Sequence, residues 1–173
     1  NILIAEMPYY NKFNVEAMYL LGDFGVRVAG RNCMLTAPVQ KLAFGDICTQ
    51  GLPFYGASIA YKMPVTVSKD CSLKISVTQF RCPVMSVALD GRECGNIALS
   101  PYELIIKDVA AGKHLLEITA FGNRINSFGT LHNCNHTETW IGPNAWRTTG
   151  SQWAYEYQLH RSGILVSPVV TEI

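Results

Sequence analysis

This 173-residue sequence predicts an all-β chain folded as an antiparallel β-sandwich of the jelly-roll type. Three observations predict it. Apolar residues recur with a period of two, about ten such runs are short and closely spaced, and Gly, Pro, Asn and Asp punctuate them. The length suits one domain with a proper hydrophobic core.

In chain order, residues 17–21, 25–29 and 33–36 read as short extended runs, with a short turn near 11–16 before them. The clearest strand is 58–67, where Ile59, Tyr61, Met63, Val65 and Val67 alternate with Ala60, Lys62, Pro64 and Thr66. Proline has no N–H to give to a ladder, so Pro64 places this strand at a sheet edge or a bulge. Leu73, Ile75 and Val77 alternate with Ser72, Lys74 and Ser76 to form the next. Residues 84–89 make another, and Asp90-Gly91 supplies the positive φ angles of a two-residue hairpin turn. Strands over 97–99, 104–109 and 114–121 follow, separated by Ser100-Pro101 and by Ala110-Ala111-Gly112. Tyr155, Tyr157 and Leu159 alternate with Ala154, Glu156 and Gln158, and a strand over 164–170 closes the chain. The pattern is weaker at the start, so 1–45 reads as a lead-in joining a preceding domain, with membership of the sandwich as its alternative, and 46–173 as the jelly-roll sandwich.

Net charge is +1 with no run of Lys or Arg, which leaves out the electrostatic footprint of a nucleic-acid binder. No apolar run approaches a membrane span, so no membrane partner is expected. Charged residues make up 16% of the chain against about 25% in a typical soluble domain. Part of the surface is therefore expected to lie against another domain or, as a homodimer, against a second copy. The chain starts at Asn1 without a leader, as a piece of a longer protein would. Six scattered cysteines without a C-x-x-C pair read as free thiols in a reducing compartment, which leans towards the cytoplasm. The Asn135-His136-Thr137 sequon matters only in a glycosylating cell.

Motifs with chemical meaning fail on context. Asp23-Phe24-Gly25 lacks any catalytic loop or phosphate-binding glycine loop, and the nucleophile-elbow likeness of 56–60 is followed by a strand where a helix is needed. His132-x-Cys134-x-His136 has metal-ligand character on an extended backbone, but lacks a fourth ligand, so no metal is assigned. Asp90, Glu93, Glu103, Glu117, Glu138 and Glu156 are scattered, and nothing in their spacing holds two across a cleft as glycoside hydrolysis requires. No catalytic residue and no cofactor is expected.

What stands out is the segment after the last long strand. Trp140, Trp146 and Trp153 follow a stretch rich in Asn, Arg and His that includes Asn123, Arg124, Asn126 and His132. Indole faces stack on the C–H faces of sugars while amides and guanidinium groups orient hydroxyls, so these seven residues are the candidate carbohydrate contacts. The same rings could equally dock on a neighbouring domain or plug the end of the sandwich.

Several stretches resemble a known class. The hairpin at Asp90-Gly91 with Gly95-Asn96-Ile97, the step 100–104 and the run 112–118 resemble galactose-binding-like jelly rolls of large bacterial glycoside hydrolases. Residues 50–56 and 122–132 resemble segments in the C-terminal region of α-L-rhamnosidase-like enzymes. That resemblance implies an accessory domain whose partner is the catalytic domain of the same polypeptide, because catalysis there belongs to a separate barrel of about 250 residues. It carries no catalytic residue onto this chain, and the chain lacks the Asp/Asn string of a calcium site. The alternative is a structural protein–protein module that never touches sugar.

Overall fold

The computed structural model describes residues 2, 4–11, 18–137 and 142–173. Among these, eleven strands form: β1 Gly25–Ala29, β2 Asn32–Thr36, β3 Ile59–Val67, β4 Cys71–Ser76, β5 Phe80–Arg81, β6 Met85–Leu89, β7 Arg92–Ile97, β8 Glu103–Val109, β9 Gly112–Ala120, β10 Gly163–Ile164 and β11 Val169–Glu172. All pair antiparallel. A four-stranded sheet of order β3-β9-β6-β7 faces a three-stranded sheet of order β11-β4-β8, and β1-β2 and β10-β5 are separate pairs.

Alternation decides which faces meet. Tyr61 and Val67 of β3, Met85, Val87 and Leu89 of β6, and Leu116, Ile118 and Ala120 of β9 share one buried cluster with Leu73 and Ile75 of β4 and Ile106 and Val109 of β8. Both sheets thus contribute one face to a common core, which makes the architecture an all-β sandwich. Leu73, Ile75, Met85, Val87, Leu116 and Ile118 are fully buried, each worth roughly 1.5–3 kcal/mol of transfer free energy.

Local chemistry accounts for the junctions. Asp90 (φ 52°) and Gly91 (φ 80°) form the two-residue turn, which sets Leu89 opposite Arg92. Pairing therefore starts at Arg92, and the strand expected over 97–99 lies earlier, ending at Ile97 with Leu99 exposed. Pro64 sits on β3, an edge of the four-stranded sheet, opposite Leu115. β10 is tied to the core by Tyr61, whose Oη accepts from the Ile164 N–H at 3.2 Å. A Cβ on Gly163 (φ 93°) would lie 2.7 Å from that oxygen, so the position requires glycine.

Three other expectations are corrected. The closing strand over 164–170 is two pieces: Ile164 pairs with Phe80, the chain passes Ser167-Pro168, and Val169 then pairs with Ser76. Proline cannot continue the ladder, and the partner changes there. Residues 154–160 form no strand, because successive donors go to different segments: Tyr157 N–H to Gly30 O at 3.1 Å and Gln158 N–H to Leu131 O at 2.7 Å. Residues 18–21 are not in a strand; Ala17 and most of the expected turn near 11–16 lie outside the described residues.

Exposed apolar side chains crowd into the beginning of the chain. Ile2, Ile4, Tyr9, Tyr10, Met18, Tyr19, Leu20, Leu21, Met34 and Leu35 are all exposed. Among the described residues, no helix is long and apolar enough to cross a membrane.

Candidate functional site

After β9 the chain leaves the four-stranded sheet, and among the described residues the next strand is β10, which pairs with β5, so the intervening crossover is pinned mainly from outside a ladder. Gly122 passes so close to the 56–57 backbone that a Cβ would lie 2.3 Å from Ala57 O, which leaves room for glycine alone. The four-residue helix α1, Ile125–Phe128, follows. Its Ser127 hydroxyl donates to Phe54 O at 2.7 Å, and its buried Asn126 reaches across to residue 160. Residues 131–134 and 152–158 then run past each other: Cys134 N–H donates to Gln152 O, Ala154 N–H to His132 O, and Asn133 bridges Trp153.

Six of the seven expected contact residues are described, and they sit in different surroundings. Trp140 lies outside the described residues. Trp146 follows a short 3-10 turn, Pro143–Ala145, and is 53% exposed; among the described residues it makes no ring contact with Trp153. Trp153 instead stands edge-on to Tyr155 with centroids 4.3 Å apart and 6.0 Å from His132. His132 in turn lies 4.8 Å from Tyr157, which meets Phe54 at 5.4 Å, so five rings form one continuous chain. His132 Nδ1 lies 3.0 Å from Ala154 O. Asn126 is buried, and its amide is engaged by the His160 backbone and by Cys48 Sγ. Asn123 is exposed, and its Oδ1 accepts from the Ile125 N–H at 3.1 Å. Arg124 is also exposed, with its guanidinium 5.8 Å from the centre of the Phe128 ring.

The structure reveals a feature that sequence reading missed. A cleft of about 400 Å³ opens beside Tyr157, lined by the amides Asn133, Asn135 and Gln158, the imidazoles His136 and His160, and by Thr130 and Leu159. Asn135 Oδ1 accepts from both the N–H and the hydroxyl of Thr137, which orients that amide. Hydrogen bonding to Cys33, then burial, holds the Tyr157 phenol above its usual range, so it stays a neutral donor. Among the described residues the lining has no carboxylate, and it offers amide and imidazole hydrogen bonds beside an aromatic wall. No spacing in the sequence announces this cleft, because it joins residues 130–136 to residues 157–160.

His132, Cys134 and His136 are held by separate surroundings, with Cys134 Sγ directed to Ser151 O at 3.7 Å. A larger open groove, about 930 Å³, lies between residues 38–44 and the start of β3, lined by side chains including Asp23, Lys41, Leu42, Tyr55 and Lys62. Its lining has one side-chain amide, Gln40, where the smaller cleft has three.

The fold is similar to part of a rhamnosidase. The rhamnosidase from Novosphingobium sp. PP1Y superposes on 85% of this chain with a TM-score of 0.51 and 17% identity, which shows a shared fold. Two further glycoside hydrolases, GH2 β-galacturonidases from Eisenbergiella tayi bound to galacturonate and to glycerol, match 62% and 69% of the chain at 21% and 22% identity. Their TM-scores, 0.39 and 0.40, add nothing to the fold assignment. The chain spans 14% of the rhamnosidase and 18% and 21% of the galacturonidases. No protein-family model matches this chain, and no curated protein matches it by sequence.

Proposed function

We propose that this chain is a non-catalytic, jelly-roll accessory domain of a multidomain bacterial glycoside hydrolase, packed against the catalytic domain of the same polypeptide and contacting carbohydrate at the crossover loop. The observation that carries this reading is the small share of the rhamnosidase, 14%, that the sandwich accounts for. The exposed apolar side chains of residues 2–35 supply the packing face, since so many on one stretch are unusual unless covered. Residues 1–45 serve as the lead-in from the preceding domain, and 46–173 as the sandwich.

The sugar contact is assigned to the cleft beside Tyr157. Asn133, Asn135, Gln158, His136 and His160 offer donors and acceptors there, with Trp153 and His132 backing the Tyr157 ring. Trp146, Asn123 and Arg124 are kept as candidate contacts apart from that lining, Trp140 is kept as a candidate outside the described residues, and Asn126 supports the loop through the His160 backbone. Affinity for a single sugar is expected on the order of millimolar, because a shallow site buries little of a polar ligand.

Titration of the ¹⁵N-labelled chain with L-rhamnose and with a neutral disaccharide tests this. Saturable shifts at Asn135, His136 and Gln158, abolished in Asn135→Ala with the fold intact, are the expected result. No shift at any cleft residue, with apolar residues of 2–35 buried against a co-expressed catalytic domain, would leave the purely structural module. Turnover of aryl glycosides by the chain alone would overturn the non-catalytic assignment.

A further inference from the structure

We infer that His114 is held as an imidazolium that latches together three turns at one end of the sandwich, and that this end loosens when the ring loses its second proton. The inference stands on geometry away from the crossover loop and does not rest on the sugar-binding reading. His114 lies near the start of β9, on the row that continues inward through Leu116 and Ile118, and its side chain is 13% exposed.

Both ring nitrogens face oxygen. Nδ1 is 2.7 Å from Asp90 Oδ2 in the β6–β7 turn, and Nε2 is 2.9 Å from Ala110 O in the β8–β9 turn. A carbonyl oxygen only accepts, and so does an ionised carboxylate, so the arrangement needs an N–H on each nitrogen. A neutral imidazole has one. Removing the second proton would set a nitrogen lone pair against an oxygen at one of these two contacts.

Asp90 does not supply the missing proton. The Leu115 N–H on its other oxygen at 2.8 Å, and then His114 itself, hold its carboxyl below the usual carboxylate range. For the ring the effect has the opposite sign: Asp90 first, then the Ala110 carbonyl, hold His114 above its ordinary 6.5. Asp90 is the charged group in contact with the ring. β3 places uncharged Val65 opposite His114, and Lys113 is its chain neighbour. Asp70 acts one step away, its Oδ1 accepting from the Ala111 N–H at 2.8 Å and so tying the β3–β4 turn into the same cluster.

NMR of the ring nitrogens, with amide hydrogen-exchange protection factors followed over the same pH range, tests the latch. Expected are a His114 midpoint above 6.5, both nitrogens protonated below it, and protection at Ala111 and Leu115 falling about threefold to tenfold above it while Ile118 is unchanged. Asp90→Asn should lower the midpoint, and His114→Gln should remove the pH step in protection. A midpoint at or below 6.5, or protection that stays level through the titration, overturns the latch. If both variants fail to fold, the unmodified chain still decides by its own titration.

Discussion

The Asn126 side chain closes a two-way pair with the backbone of His160: Nδ2 donates to His160 O at 2.6 Å, and Oδ1 accepts from the His160 N–H at 2.9 Å. Residues 34 apart in sequence are thereby fixed as neighbours, and the two ends of the crossover that builds the candidate cleft are held to each other. Because Asn126 is 5% exposed, Asn126→Ala leaves buried backbone groups without partners. A loss of about 2–4 kcal/mol is expected from urea denaturation, with Asn126→Asp nearly as harmful because it removes the donor. A loss below about 0.5 kcal/mol for both would mean that the pair does not hold the loop.

Tyr61 does the corresponding work for β10. Tyr61→Phe keeps the ring, which stacks on Phe44 at 5.1 Å, and deletes only the oxygen that accepts from Ile164. A destabilisation of about 1–3 kcal/mol is expected from the orphaned, buried N–H. Gly163→Ala should cost more, since a methyl would meet that oxygen on a backbone of positive φ. Equal stability of Gly163→Ala and the native chain would contradict the described position of β10.

The tryptophans separate by environment. Trp146→Ala removes an exposed ring and should change stability by no more than about 0.5 kcal/mol. Trp153→Ala breaks the five-ring chain and should cost about 1–3 kcal/mol. Denaturation followed by circular dichroism reads both, and the reverse ranking would refute the chain of rings.

Acid should loosen the sheet margins. Glu172 is held below its ordinary 4.5 by the Ser68 hydroxyl and then by the Ser68 N–H, and Glu103 by Ser76 and then Lys74. A carboxyl whose folded value is lowered contributes stability that is fully present above the unfolded value and is lost as pH falls through the folded one. The decline should therefore begin below about pH 4.5 and be shallower in Glu172→Gln. Denaturation midpoints across pH 2–7 measure it, and an identical acid limb in the variant would remove Glu172 from the account.

Thiol reactivity should follow burial. Burial first, and the neighbouring Asp46 charge second, push Cys48 up to about 12, while burial pushes Cys82 to about 11. Cys33 is exposed. Alkylation at pH 8, read by mass spectrometry, should label Cys33 well before Cys48 or Cys82. Early labelling of Cys48 in the folded chain would show that its surroundings are more open than described.

Much of this architecture was legible in the linear chain because its determinants are local. A period of two forces side chains to opposite faces, so Tyr61, Val67, Leu73, Ile75 and Val77 announced a buried face before any partner was known. Asp90-Gly91 announced its turn because few other residues tolerate two consecutive positive φ angles. Where alternation had no partner to pair with, as over 154–160, the same reasoning produced a strand that does not exist.

The order β3-β9-β6-β7, the cleft beside Tyr157 and the Asp90–His114–Ala110 cluster were beyond such reading. Each joins residues far apart in the chain, and the free energy that selects them comes from burial and hydrogen-bond closure in three dimensions. The chain by itself determined an alternating, turn-punctuated β protein with little charge. Tertiary structure alone decided which tryptophan joins a ring cluster and which stays exposed, because contact between distant segments is a property of packing and not of spacing along the backbone.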